Sequence, residues 1–388
     1  MKLCVVTPGV IRGDGQGRAN YEIVWEAIRQ GHQVTLVSSQ VAHDLQQQPQ
    51  IRWINIPTKQ YPLALIREIV FAWRSTAWLR QHRHEFDLIQ VYGTATAIPS
   101  DINTAQFSHN AWLKSPVHAS RQRRDLYGVY QWLHTAWHAH WEKRAFRQTK
   151  QAIAVAETVK QQLIDIGVAA EKIEVIYNGV DLTEFHPEPN LEPTDRRQFN
   201  LPIDVTLALF AGDIRLNRKN LDTVLRALVQ VPGLHLAVIG AVERSPYPQM
   251  AVELGVADRV HFMGFRSDIA QVMQVVDFFV FPTRYEPFGM VVLEAMATEL
   301  PVITTAIAGV AELITPDCGI VLADTEDVDA LAAAMQRLMA DPDLRHRMGK
   351  AGYLIAQQHS WSSKAKRYIQ LFEDMVTNTT NHRLTLIS

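Results

Sequence analysis

Residues Phe281–Gly309 read FPTRYEPFGMVVLEAMATELPVITTAIAG, and this stretch decides how the rest of the chain is understood. It is entered from Asp277 through the apolar run Phe278-Phe279-Val280-Phe281, closed by Pro282, which is the profile of a buried strand. The polar loop Thr283-Arg284-Tyr285-Glu286-Pro287 follows. A helix is expected from about Phe288 to Thr298, because Val291, Val292, Ala295 and Met296 recur at helical spacing and Pro287 suits a first turn. Pro301 to Thr305 reads as a second strand, so the stretch is a strand–helix–strand crossover. Glu294 lies eight residues beyond Glu286. That spacing turns the helix direction by only about 80° beyond two full turns, so both carboxylates can face one crevice. Between them the helix start offers N–H groups at the positive end of its dipole, an anion site. A phosphate held there, flanked by carboxylates that take hydroxyls, describes a pocket for a nucleotide sugar. As an isolated pair, a loop acid and a solvated helix residue are the simpler reading.

A length of 388 residues divides naturally into two domains. With 47% hydrophobic and 20% charged residues the composition is that of an ordinary soluble protein. Cys4 and Cys318 are the only cysteines, which excludes a disulfide framework and a cysteine-based metal site. The net charge is −2, with the excess of basic residues in the amino-terminal half, and this is not the balance of a nucleic-acid binder. Met1 to Val10 reads as a strand rather than a secretory leader, and no apolar stretch reaches 18 residues, so a cytoplasmic location is expected.

The chain opens with a strand, Lys2 to Thr7, a glycine-rich loop, Pro8 to Gly17, a helix from about Arg18 to Gln30, and a strand from His32 to Ser38, a Rossmann-type beginning. Gly13, Gly15 and Gly17 fall short of the dinucleotide fingerprint, whose third glycine, counted from Gly15, would land on Asn20. The second strand ends Val37-Ser38-Ser39-Gln40, with no acid for a ribose diol. A glycine loop meeting a phosphate or a sugar fits better than nicotinamide binding. Asn103–Asn110 reads as a strand ending in a polar tip, which puts His109 at a strand's carboxyl end, where open α/β sheets place ligands. From Lys114 to Lys150, eight bases stand against Asp125 and Glu142, interleaved with Trp132, Trp137, Trp141, Tyr127, Tyr130 and four histidines. Aromatics packed on the sheet with solvated bases is the favoured reading, and peripheral contact with a membrane surface is the alternative. No acidic partner pattern accompanies the histidines, so no metal cluster is expected.

In the second half, Thr206–Phe210 is a strand followed by a basic loop, Ala211 to Asn220, containing Arg215, Arg218 and Lys219 just before a helix start. Such a cluster neutralises a diphosphate. The proline-rich stretch Pro187–Thr194 is the expected linker, Trp361–Thr377 an amphipathic helix, and Asn378–Ser388 a frayed tail.

YEPFGMVVLEAMA, at Tyr285–Ala297, resembles the E-x7-E signature of retaining glycosyltransferase family 4. IEVIYNGVDLTEFHP, at Ile173–Pro187, resembles the segment that closes the first domain in that family, and Lys219-Asn220 aligns with its diphosphate loop. The resemblance implies the GT-B fold: two α/β Rossmann-like domains, 1–186 and 187–360, facing each other across a cleft, with a terminal helix, about 361–388, crossing back to the first. It implies that Glu286 lies beside the donor sugar, that Glu294 holds the ribose, and that the Phe288-Gly289-Met290-Val291 backbone approaches the diphosphate. It gives Lys219 the diphosphate, with the accompanying arginine role passing to Arg215 because Asp213 stands where the family more often has Arg. It brings His109 to the reaction centre and the loop of Gly13, Gly15 and Gly17 to the cleft. Glu299 and Ala308 stand where glycine is usual, two conformational departures.

The expected activity is retaining, metal-independent transfer of a hexose from a nucleoside diphosphate sugar to a hydroxyl acceptor by front-face attack, with no bound cofactor. A nucleotide-sugar epimerase or phosphorylase on the same fold, or a non-catalytic two-domain binding protein, is the alternative.

Overall fold

The structure is a computed structural model that describes residues 1–13, 15–188 and 193–385. Asp14 of the glycine loop, residues 189–192 of the expected linker and residues 386–388 of the expected tail lie outside the described residues. The chain forms two compact units, Met1–Gly179 together with the segment from Trp361, and Val180–Ser360. The division comes earlier than the expected 186/187 boundary. Val180 N–H donates to His359 O at 2.9 Å and bridges Ser360, which ties the start of the second unit to its own end.

Unit 1 carries a seven-stranded parallel sheet: β1 (Lys2–Val6), β2 (Gln33–Ser38), β3 (Ile51–Asn55), β4 (Leu88–Tyr92), β5 (Ile102–Ala105), β6 (Gln151–Ala154) and β7 (Ile173–Val175). Their order across the sheet is β3-β2-β1-β4-β5-β6-β7. Unit 2 carries β8 (Thr206–Ala211), β9 (Leu234–Ile239), β10 (Val260–Gly264), β11 (Phe278–Phe281), β12 (Val302–Thr305) and β13 (Gly319–Leu322), ordered β10-β9-β8-β11-β12-β13, also parallel. Runs such as Leu207-Ala208-Leu209-Phe210 and Phe278-Phe279-Val280-Phe281 are buried on both faces, as strands covered by helices on each side must be. In each sheet the direction of winding reverses once, between β1 and β4 and between β8 and β11. Open parallel sheets bind ligands outside the carboxyl ends of the strands at that reversal.

Four helices position the candidate residues of unit 1. They are α1 (Gly15–Arg29), α2 (Ala64–His82), α3 (His109–Lys114) and α4 (Leu126–Gln148). In unit 2, α5 (Leu221–Val229) follows the basic loop and α6 (Met290–Ala297) follows the acidic one. The terminal helix α7 (Trp361–Thr385) returns to unit 1 and runs through much of the segment expected as tail. Its Ala365, Tyr368, Ile369 and Phe372 are buried in one cluster with Tyr21, Val24, Ala27 and Ile28 of α1. Phe372 alone removes a side chain worth roughly 2–3 kcal/mol of burial from water, so the docked helix is part of the core.

Candidate active site

In unit 2 the reversal between β8 and β11 brings two loops together, one carrying Lys219 and the other Glu286. Lys219 Nζ forms an ion pair with Glu286 Oε2, and both side chains are largely buried. The lysine stem reaches its partner past Gly212, where an added Cβ would stand 3.2 Å from Lys219 Cγ, and its ammonium lies 5.0 Å from the centre of the Phe281 ring. Burial lowers the Lys219 pKa despite the attraction of Glu286. Burial raises that of Glu286, but the charges of Lys219 and Arg218 outweigh it and hold the carboxyl below its ordinary value, helped by the Phe288 amide. The pair is a charge-assisted contact in a largely buried setting.

The basic loop is fixed by Arg284 and Asn220, to which the sequence reading gave no bracing role. Arg284 is buried, and its guanidinium forks onto both oxygens of Asp222 (2.7 and 2.9 Å) and onto Glu326, while also donating to Asn217 O at 3.0 Å. Its own N–H donates to Arg218 O at 2.9 Å. Burial opposes the arginine charge, yet the two carboxylates more than compensate and raise its pKa. Asn220 adopts the left-handed conformation at φ 67° ahead of α5 and donates through Nδ2 to Pro282 O and Thr325 O at 2.8 and 2.6 Å. A position two residues before Glu286 was the available hint for Arg284, but a buried clamp and a solvated base look alike in sequence. Arg215 is exposed and forks onto Asp213 at 2.9 and 3.0 Å, lowering the aspartate pKa. Arg218 is a cation whose charge reaches both Lys219 and Glu286.

Helix α6 begins at Met290, with Gly289 before it at φ +100°, so Pro287 lies in the loop rather than in the first helical turn. An added Cβ on Gly289 would stand 3.2 Å from Val310 and 3.3 Å from Glu286 Cγ, and the backbone there favours glycine. Gly309 N–H donates to Glu286 O and Val310 N–H to Phe288 O at 3.3 and 2.7 Å, which clamps the acidic loop onto the turn after β12. Glu294 is half-buried on α6 while Val292, Leu293, Ala295 and Met296 are buried.

Unit 1 has its own site at its own reversal. Pro8 and Gln16 after β1, Gly93 and Thr94 after β4, and Gln106 and His109 after β5 line one cavity of about 130 Å³. The glycine segment is less of a loop than expected: α1 starts at Gly15, Gly17 is buried inside it, and Gly13 remains outside with open space around its Cα. Asn20, where the dinucleotide pattern wants glycine, is buried and donates to Thr7 Oγ1 and Gly9 O at 2.9 and 2.8 Å, a side chain that braces the turn instead of admitting a pyrophosphate.

His109 is the first residue of α3 rather than a strand tip, and Ser108 caps that helix. The orphan N–H groups of His109 and Asn110 donate to Glu142 of α4 at 2.9 and 3.0 Å. Burial raises the Glu142 pKa despite these bonds. The His109 ring stacks on His138 at 4.4 Å between centroids, and desolvation together with that neighbour pushes its pKa down to about 3. Glu68 of α2, on which nothing in the sequence pointed, receives Nε2 of both His134 and His138 at 2.8 and 2.6 Å. Burial raises the pKa of Glu68, but those two bonds dominate and bring it down to about 2. Contrary to the expectation that no acidic partner accompanies the histidines, they have one, and it comes from another helix.

The basic, aromatic segment from Lys114 to Lys150 is broken into α3, a short turn of helix at Ala119–Gln122, and α4. Packing of its aromatics on the sheet describes it poorly. The buried positions of α4 are Gly128, Thr135, His138, Ala139, Glu142 and Phe146, while Leu126, Val129, Trp132 and Leu133 are exposed. Trp137 and Trp141 line a groove with Ile69 and Trp73 of α2. No helix among the described residues is long and apolar enough to cross a membrane.

Residues 13–184 match the family model described as Glycosyltransferase Family 4, and residues 192–355 match the one described as Glycosyl transferases group 1. The chain is 28% identical over 228 residues to the lipopolysaccharide core biosynthesis glycosyltransferase LpsE of Rhizobium meliloti (strain 1021), covering 58% of this chain and 65% of that protein. It thus spans a little under two thirds of that relative's length. Among solved structures it is similar to sucrose-phosphate synthase from Thermosynechococcus elongatus, with a TM-score of 0.79 at 21% identity over 97% of this chain and 99% of that one. It is also similar to Anabaena Alr3699/HepE in complex with UDP and glucose, with a TM-score of 0.70 at 20% identity over 96% of this chain and 99% of that one. Two parallel-sheet α/β units with these likenesses are the GT-B fold, and both parts of the chain match models of glycosyltransferase domains.

Proposed function

We propose that the chain is a retaining hexosyltransferase of family 4 that moves a hexose from a nucleoside diphosphate sugar to a hydroxyl acceptor, with no metal ion in the transfer step and no bound cofactor. The observation that carries this reading is the Lys219–Glu286 pair at the foot of α6, a cation and a carboxylate held at the place where a parallel sheet takes its ligand. Lys219 neutralises the leaving diphosphate together with the amides of Gly289, Met290 and Val291, and stabilising that departing charge is the main source of rate. Arg215 joins once it leaves Asp213, and Arg218 adds its field. Glu286 accepts sugar hydroxyls and positions the donor, Phe288 backs the loop, and Glu294 takes the ribose. Because Glu286 is committed to Lys219, it serves as a positioning carboxylate rather than a nucleophile, which favours front-face attack by the acceptor. Unit 1 takes the acceptor, with His109 and the Gly13–Gly17 segment beside it.

UDP is the nucleotide bound by the Anabaena Alr3699/HepE structure, which supports a uridine donor. The location is cytoplasmic, with α4 resting on an anionic lipid surface through exposed Leu126, Val129, Trp132 and Leu133 and the bases Arg123, Arg124, Lys143 and Arg144. Sedimentation with phosphatidylglycerol vesicles, compared with neutral ones, checks that contact.

A screen of UDP-, GDP- and ADP-hexoses for release of nucleoside diphosphate, followed by NMR of the product's anomeric centre, tests the activity. Turnover of one donor with retention, persisting after exhaustive chelation and lost in Lys219→Ala and Glu286→Gln, supports the assignment. Donor interconversion without acceptor, dependence on free phosphate, inversion, or wild-type rates in both variants would overturn it.

A further inference from the structure

His134 and His138 lie one helical turn apart on α4 and project from the same side. Their Nε2 atoms converge on a single oxygen, Oε2 of Glu68 on α2, and the three donor atoms lie within 4.8 Å of one another. His138 is buried, and its other nitrogen, Nδ1, is 3.0 Å from Thr94 Oγ1. We propose that Glu68, His134 and His138 form a binding site for a divalent transition cation of the zinc class, distinct from the donor chemistry of unit 2.

Two imidazoles and one carboxylate are the donor set that selects such ions over magnesium or calcium, which prefer oxygen alone. Metal–ligand bonds of about 2.0–2.1 Å in a tetrahedral set place donors about 3.3 Å apart. The observed separations of 2.6 and 2.8 Å from Glu68 Oε2 are shorter, so binding asks the carboxylate to spread from each histidine by several tenths of an ångström, while all three donors already lie within 4.8 Å of one another. Thr94 supplies the outer contact: with its proton on Nδ1, donated to Thr94 Oγ1, His138 presents the Nε2 lone pair to the ion. Three protein ligands leave one position open. Glu68 and His138 border the same cavity as Gln16, Gln106 and His109, which gives that position room for a water or a hydroxyl and gives the ion access. Because Glu68 sits on α2 and the histidines on α4, a bound ion ties together the two helices that flank the tryptophan groove.

The test is a titration of the untagged, chelator-treated full-length chain with Zn²⁺ against a chromophoric competitor. Glu68→Gln and His134→Gln are measured in parallel, with the double variant His235→Ala/His261→Ala as control, because those two histidines also approach each other, at 3.1 Å, in unit 2. The expected result is one ion per chain in the low micromolar range or tighter, weakened at least tenfold in each single variant, unchanged in the control, and not displaced by millimolar Mg²⁺. Co²⁺ is expected to give the intense visible bands of a four-coordinate ion in the wild type and to lose them in Glu68→Gln. Far-UV circular dichroism confirms that each variant is folded, and His134, the more exposed of the two histidines, carries the test should Glu68→Gln not fold. Equal Zn²⁺ affinity in the wild type and a folded variant, displacement by Mg²⁺, or no stoichiometric binding below about 100 μM would leave a purely hydrogen-bonded cluster and overturn the site.

Discussion

Lys219 and Glu286 are 67 residues apart in sequence and share an ion pair, because the strands that precede them, β8 and β11, are neighbours in the sheet of unit 2. Each neutralises the other in a largely buried setting, so neither can be removed without stranding its partner. Removing one member of such a pair costs about 3 kcal/mol. Lys219→Ala and Glu286→Gln are each expected to destabilise unit 2 by that order, and the double variant by clearly less than their sum. Urea unfolding of the four proteins measures the coupling; additivity within about 0.5 kcal/mol would mean that the two groups do not interact.

The same pair sets a pH signature with a defined sign. In the wild type the Glu286 pKa is depressed, so its contribution to stability is present above the ordinary carboxyl pKa of 4.5 and is lost as pH falls through the lower folded value. Without Lys219, burial is the largest remaining influence, and the carboxyl shifts upward. Its cost then grows as pH rises from 4.5. The melting temperature of Lys219→Ala relative to wild type is expected to fall further between pH 5 and pH 8, and a difference constant across that range would rule out the assignment.

Arg284 holds the basic loop through Asp222, Glu326, Asn217 and the Arg218 carbonyl. A lysine cannot reproduce that fork, since its ammonium lacks the planar donor array. Arg284→Lys is therefore expected to cost roughly 2 kcal/mol or more, and to raise the KM for donor more than it lowers kcat. Steady-state kinetics at saturating acceptor separates the two; an unchanged KM would show that the clamp does not position Lys219.

Glu299 and Ala308 both replace an expected glycine, yet only one carries strain. Glu299 adopts φ 60°, in the left-handed region, whereas Ala308 sits at φ −74° and ψ 126°. A left-handed non-glycine costs roughly 1–2 kcal/mol, part of which is offset by the greater freedom glycine gives the unfolded chain. Glu299→Gly is expected to stabilise by about 0.5 kcal/mol and Ala308→Gly to destabilise by a similar amount. Thermal unfolding of the two variants checks the pair, and a loss of stability in Glu299→Gly would refute the strain.

Gly289 is expected to tolerate nothing larger. Gly289→Ala places a methyl against Val310 and Glu286 in a backbone conformation that alanine disfavours, at a cost of at least about 1 kcal/mol. Because the displaced neighbour is Glu286, donor affinity is expected to fall together with stability. Isothermal titration with UDP reads the affinity, and wild-type binding in the variant would show that the loop does not set the site.

Much of this protein was legible in the amino-acid order because it is governed by near neighbours. Apolar runs such as Phe278–Phe281, short and closed by a proline, read as buried strands from their own flanks, helical spacing marks α6, and the alternation of the two implies parallel sheets. Glu286 and Lys219 stand out as chemical groups in loops at strand ends for the same local reason. What the order of residues left open is which groups meet. Glu68 lies 66 and 70 residues from the histidines it binds, and Arg284 lies 62 from Asp222. Those pairings depend on which strands become neighbours and which faces the helices turn inward, and burial then decides the sign of each charge's contribution. Whether Arg215 serves a ligand or Asp213, whether α4 hides its tryptophans, and whether a residue in a glycine's place is strained are decided by the same tertiary packing, because each is a property of a contact and not of a residue.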